Sequence, residues 1–280
     1  MGVNRRALIL GAAGAVVVAG GVGEYLEVLP GGVQLHRLLG LTGGTGSVPD
    51  VPAATTTVRQ FHSAARGRTV DVVTMIPAGA DPARLPVCLV LHGRNNNARG
   101  MVTLGLPQFL TSAVRSGLPP FAFVAVDGGD TYWVAKTPSD DPQRMLTYEL
   151  TSWLTTLGLA PTPSTVLAIS MGCFGALVYA RANPVHRMSL LSPALFQDWA
   201  GAQTVHAFAD EAQWAANEPL RHPAPANLGI WCGREDPFYP AAHQLADQSR
   251  PAIASFPHGQ HDDDFWRRML PLVLPHLAAG

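Results

Sequence analysis

The chain reads as an α/β fold: a mostly parallel central sheet with helices on both faces and only a minimal cap. Three observations predict this. Short solid apolar runs recur, among them Val87 to Leu91, Phe121 to Val126 and Thr165 to Ile169, as strands buried on both faces should read. Segments with helical apolar spacing lie between them, the clearest carrying Leu146, Leu150, Trp153, Leu154 and Leu157. Alternation of the two kinds of segment implies parallel strands joined by helical crossovers.

The N-terminus stands apart from this pattern. Arg5 and Arg6 precede an almost uncharged run, Ala7 to Gly23, built from Ala, Gly, Val, Leu and Ile. A basic pair before a weakly hydrophobic, glycine-rich stretch predicts an export signal of twin-arginine type over residues 1–23. The run is barely long enough to span a bilayer, and no clear small-x-small cleavage site follows before Glu24. The expected location is therefore outside the cytoplasm, secreted or held at the membrane by this segment. Residues 24–53 carry Gly-Gly pairs, prolines and threonines without period, which suits a linker or arm.

Regular elements fill residues 54–280, read as one domain. Thr55 to His62 and Thr69 to Met75 alternate like half-buried antiparallel strands. Val87 to Leu91 then runs into His92-Gly93, a helix is expected from Pro107, and Phe121 to Val126 ends at Asp127-Gly128-Gly129-Asp130. Pro142 opens a helix reaching Leu157. Thr165 to Ile169 is a strand followed by a helix through Leu177 and Tyr179. Met188 to Leu191, Asn227 to Cys232 and Ala252 to Phe256 are further strands, and Asp264 to Leu277 is a last helix, interrupted by Pro271. Phe196 to Pro225 leaves room for a small cap.

Composition narrows the function. Apolar residues make up 47% and charged residues 14% of 280, with a formal net charge of −1. That balance supports a large core and argues against a nucleic-acid partner, which requires a clustered basic surface. Lys136 is the single lysine. Cys88, Cys173 and Cys232 are scattered, with no metal-ligand spacing, and read as small buried thiols.

The chemical signal is Ala168-Ile169-Ser170-Met171-Gly172, where an apolar strand meets a helical pattern. A nucleophile elbow needs that arrangement: a serine at a strained strand-to-helix turn, with small neighbours that let strand and helix approach. Ala168 stands where glycine is usual. A plain helix N-cap serine is the alternative, and the strand before with the helix after favours the elbow. A serine needs a base, and the base an orienting acid. Gly233-Arg234-Glu235-Asp236 follows one later strand; Asp236 is the preferred acid and Glu235 the runner-up. Pro257-His258-Gly259-Gln260-His261 follows another; His261 is the preferred base and His258 the alternative. For the oxyanion hole, the backbone N–H groups of Arg94 and Met171 are the candidate donors. His92 is read as structural, fixing its loop through a side-chain hydrogen bond.

These segments, with Phe174-Gly175, Gly259-Gln260-His261, Phe265-Trp266 and Gly128 to Trp133, resemble the esterase family that groups the mycobacterial antigen 85 mycolyltransferases, esterase D and feruloyl esterases. The chain is most similar to secreted actinobacterial esterases of that group. The resemblance spans nearly all of residues 54–280 and implies an α/β-hydrolase fold. It also implies Ser170, Asp236 and His261 as a catalytic triad, with Arg94 and Met171 as oxyanion donors. The loop after the early strand differs from that of the mycolyltransferases, so mycolyl transfer is not implied.

The expected activity is serine-dependent hydrolysis of a carboxylic ester, of a small molecule or a lipid, through an acyl-enzyme and without metal or organic cofactor. Tyr132, Trp133, Leu195 and Phe196 follow strands and are candidate pocket walls. Two alternatives use the same residues differently: acyl transfer to a sugar or lipid hydroxyl, and a non-catalytic binding protein on a hydrolase scaffold. Association with the membrane or cell envelope is expected if the N-terminal segment is retained. Oligomeric state has no signature in the sequence.

Overall fold

The computed structural model describes residues 42–135 and 137–278. The expected export segment and the first part of the expected arm, residues 24–41, lie outside them. Residues Gly44–Gly280 form a compact unit. Its sheet has eight strands: β1 (Thr55–Ser63), β2 (Arg68–Ile76), β3 (Val87–Leu91), β4 (Ala122–Val126), β5 (Thr165–Ile169), β6 (Arg187–Leu191), β7 (Leu228–Trp231) and β8 (Ile253–Ser255). The spatial order is β1-β2-β4-β3-β5-β6-β7-β8. β1, β2 and β4 pair antiparallel, and every other pair is parallel.

Strands β3, β4 and β5 are buried at every residue, which is why they read as unbroken apolar runs. In β5, Val166 and Ala168 join the core on one face, while Leu167 and Ile169 join the core on the other. The first face is covered by α3 (Pro142–Tyr148), α4 (Leu150–Thr156), α5 (Met171–Tyr179) and α8 (Tyr239–Ser249). The second is covered by α1 (Gly100–Leu104), α2 (Leu106–Arg115) and α9 (Asp263–Ala278).

Several elements differ from the sequence reading. The helix from Pro142 breaks at Glu149, because that carboxylate is drawn to β1: it accepts from Ser63 Oγ at 2.5 Å and from the Ala65 N–H at 2.8 Å. Helix α8 is unforeseen, since its buried face is mostly alanine (Ala241, Ala242, Ala246, with Leu245) and gives little periodic signal. Helix α9 continues through Pro271 and Pro275. Burying Phe265, Met269, Leu270, Val273, Leu274 and Leu277, each worth about 1.5–3 kcal/mol, outweighs two prolines at about 3 kcal/mol each. The arm also ends earlier than expected. Val48 packs into the second core, and the Ala54 N–H donates to Pro107 O at 3.0 Å.

The cap consists of α6 (Trp199–Ala202), α7 (Glu211–Asn217) and short 3-10 turns. Glu218 fastens it. This fully buried carboxylate accepts from Trp214 Nε1 at 2.9 Å, from the Phe196 N–H at 3.2 Å and from the Leu220 N–H at 3.2 Å. Burial pushes its pKa from an ordinary 4.5 up to about 7, against the pull of those donors. The folded state therefore holds a proton that the unfolded chain has already lost between about pH 4.5 and 7. Stability should fall as pH rises through that window, by on the order of 3 kcal/mol. Urea unfolding at pH 5 and pH 8 checks this: Glu218→Gln should abolish that part of the pH dependence.

Candidate active site

Ser170 sits between β5 and α5 with φ 55° and ψ −123°, a region that non-glycine residues seldom occupy. Its backbone is held on three sides. The Ser170 N–H donates to Leu191 O at 2.9 Å, and Ser170 O accepts from the N–H of Cys173 at 2.9 Å and of Ala194 at 3.3 Å. Gly172 makes the turn feasible. A Cβ there would lie 2.1 Å from Leu91 O, so any side chain would push α5 away from β3. The methyl of Ala168 is fully buried in the sheet, which is how the chain accommodates it in place of glycine.

The strained turn brings Ser170 Oγ to 2.8 Å from His261 Nε2. His261 Nδ1 lies 2.8 Å from Asp236 Oδ2. The other oxygen, Asp236 Oδ1, accepts the Phe238 N–H at 2.9 Å, and the Asp236 side chain is entirely buried. Asp236 belongs to the loop after β7 and His261 to the loop after β8. These loops nearly touch: a Cβ on Gly233 would meet Gly259 O at 2.0 Å. A carboxylate, an imidazole and a hydroxyl thus form one continuous chain of hydrogen bonds. Such a chain can take a proton from the serine while holding the imidazole in one tautomer.

The two runners-up pair with each other. His258 Nδ1 is 2.7 Å from Glu235 Oε1, and Glu235 Oε2 accepts the Gly259 N–H at 2.7 Å. His258 is more than half exposed, and this pair ties the two loops together beside the buried one.

The loop after β3 is anchored by groups the sequence reading left without a role. Asp130 Oδ1 accepts the Asn95 N–H at 2.7 Å, and Asp127 Oδ1 accepts the Ala98 N–H at 2.7 Å. Both aspartates were visible as the polar end of β4. His92 is buried under this loop. Its Nε2 accepts the Gly128 N–H at 2.9 Å, and its Nδ1 is 2.8 Å from Gly93 O. Nδ1 therefore carries the proton, and burial lowers the pKa and keeps the ring neutral. Arg94 follows on the exposed part of the loop. Met171 is the first residue of α5, where a backbone N–H has no helical partner.

The candidate wall residues divide. Tyr132, Leu195 and Phe196 are buried in the first core, and the Tyr132 ring packs on Phe174, Phe196 and Phe208. Trp133 departs from the expectation that it lines a pocket. It is fully buried, packs 5.1 Å from the His92 ring and donates from Nε1 to His92 O at 3.2 Å. The consecutive left-handed backbone at Tyr132 and Trp133 (φ 54° and 59°) turns its indole inward. Phe238 and Trp266 flank His261 with ring centroids at 5.2 Å and 5.4 Å, and neither was marked as a site residue. Burial raises the Cys173 thiol well above its ordinary pKa, so it is no competing nucleophile. Among the described residues no cluster of His, Cys, Asp and Glu is arranged to hold a metal ion.

Comparison with known proteins identifies the family and the fold. The family model described as "Putative esterase" matches residues 63–264. No curated protein sequence matches the chain. Among solved structures, a ferulic acid esterase superposes with TM-score 0.69 at 15% identity, covering 81% of this chain and 99% of its own. An S-formylglutathione hydrolase from Agrobacterium tumefaciens gives 0.67 at 15% identity, covering 84% and 99%. MPT51 from Mycobacterium tuberculosis gives 0.62 at 16% identity, covering 80% and 100%. The structural likeness establishes an α/β-hydrolase fold. With the model matching most of its length, the chain belongs to the Putative esterase family and is a carboxylic ester hydrolase.

Proposed function

We propose that the protein hydrolyses its ester through a Ser170–His261–Asp236 triad and an acyl-enzyme. The observation that carries this reading is the strained Ser170 with its Oγ 2.8 Å from His261 Nε2. Ser170 Oγ attacks the carbonyl carbon while His261 Nε2 takes its proton. Asp236 accepts the Nδ1 hydrogen bond and stabilises the imidazolium. The oxyanion is held by the N–H groups of Met171 and Arg94, the first at the positive end of α5. The tetrahedral intermediate expels the alcohol, which leaves with the proton from His261. Water, deprotonated by the same imidazole, then cleaves the acyl-serine and releases the carboxylic acid.

Rapid mixing with 4-nitrophenyl acetate tests the pathway. An acyl-enzyme predicts up to one equivalent of nitrophenol per chain in a burst when deacylation is slower, and trapping of an acetylated Ser170 peptide after acid quench. A nitrophenol burst with acetate on another residue and none on Ser170 would overturn the pathway.

A further inference from the structure

Across the sheet's end, the two sides of the His261–Ser170 pair differ in chemistry. On the α9 side, Trp266 stacks edge-on against His261 and donates from Nε1 to Ser192 Oγ at 3.0 Å. The same indole lines an open cleft of about 400 Å³ with Asn96, Asn97, Arg99, Thr103 and Asp263. Met101 and Leu104 also line it, so that side is mixed in character and has room.

On the α5 side lies a cluster of aromatic rings. Phe238, which touches His261, leads to Phe196 at 5.9 Å. Phe196 leads to Phe208 at 6.2 Å, and Phe208 packs 5.6 Å from Tyr132 and 5.5 Å from Phe174. Phe174 lies one helical turn beyond Ser170. Phe174, Tyr132, Phe196 and Phe208 are 0, 2, 6 and 9% exposed, so the rings cover one another and occupy the volume themselves. They come from α5, the loops after β4, β6 and β7, and the cap. Glu218 locks them in place by holding both the Phe196 N–H and the cap residue Trp214. A core packed this way resists added methylenes.

We propose that this ring wall faces the acyl group and limits the enzyme to esters of small acyl groups, with Phe208 closing the acyl side and the open cleft receiving the alcohol portion. The assignment rests on the hydrolase reading above. An acyl substituent beyond its carbonyl is hydrocarbon and matches an apolar wall. The alcohol oxygen is the atom His261 must protonate, and the open cleft lies on the Trp266 side of that ring. Phe208 is the least buried of the four and comes from the cap rather than the sheet, so it is the ring whose removal opens a path.

Two substrate series test this: 4-nitrophenyl acetate, butyrate and octanoate, and methyl, butyl and octyl acetate. They are compared in the wild type, Phe208→Ala and the milder Phe208→Leu. Ratios taken within one preparation are independent of the fraction folded. Wild-type kcat/KM for octanoate should be at least about 10-fold below that for acetate, and Phe208→Ala should raise the octanoate-to-acetate ratio about 10-fold or more, Phe208→Leu less. The octyl-to-methyl acetate ratio should not move. Equal wild-type rates on octanoate and acetate, an unchanged acyl ratio in both variants, or a shift in the alcohol series instead would overturn the proposal. Cleavage of no ester in either series by the wild type would overturn the hydrolase reading and this one with it.

Discussion

Ser170→Ala should reduce kcat for ester hydrolysis by about 10⁴-fold or more, with KM changed far less. The substitution removes one oxygen from a site that is 8% exposed and leaves alanine with the same strained backbone, so the fold should persist. What remains is an oxyanion hole and an imidazole without a nucleophile to activate. In the proposed triad the three groups act as one unit, so Ser170→Ala combined with His261→Ala should be scarcely worse than Ser170→Ala alone. Steady-state kinetics on purified single and double variants checks both statements. Additive losses would mean that His261 serves a separate function.

Asp236→Asn should cost about 10⁴-fold in kcat, whereas Glu235→Gln and His258→Ala should each cost less than about 10-fold. Distance does not separate the two pairs, at 2.8 Å for Asp236–His261 and 2.7 Å for Glu235–His258. Burial and connection do. The Asp236 side chain is fully enclosed and its histidine continues to Ser170, while the His258 side chain is 55% exposed and leads to no nucleophile. An asparagine at position 236 can offer its amide N–H to Nδ1, which favours the tautomer that cannot accept from Ser170. If Glu235→Gln proved the more damaging, the exposed pair would have to be carrying the proton.

The elbow was legible because it is local: an apolar strand, a serine and two small residues identify a turn within ten positions of Ser170. The loops carrying Asp236 and His261 were legible as the ends of later strands, and the strand order places those strands, β7 and β8, beyond β6 on one side of β5. Choosing between neighbours within each loop was harder. Glu235 and Asp236 differ by one position, and only three-dimensional closure shows which carboxylate is enclosed. Helix α8 was missed because its buried face is mostly alanine, whose small side chain gives little hydrophobic contrast with the exposed face. Pro271 misled because local propensity yielded to the burial of one helical stripe. Trp133 looked like a pocket residue until the left-handed pair at Tyr132 and Trp133 turned it under His92. Of the ring wall, only Tyr132 and Phe196 were marked, as candidate walls after their strands. Its members lie between residues 132 and 238 in five segments, and only the packed fold brings them together.

The central claim, that Ser170 is the nucleophile of this esterase, is tested most directly by covalent labelling. A fluorophosphonate with a methyl group on phosphorus and its reporter on the alkoxy arm is reacted with the full chain, digested and mapped by mass spectrometry. The predicted result is one label per chain, on Ser170, formed at a strongly reduced rate in His261→Ala. A label on any other residue, or undiminished ester hydrolysis by protein fully labelled elsewhere, would contradict it.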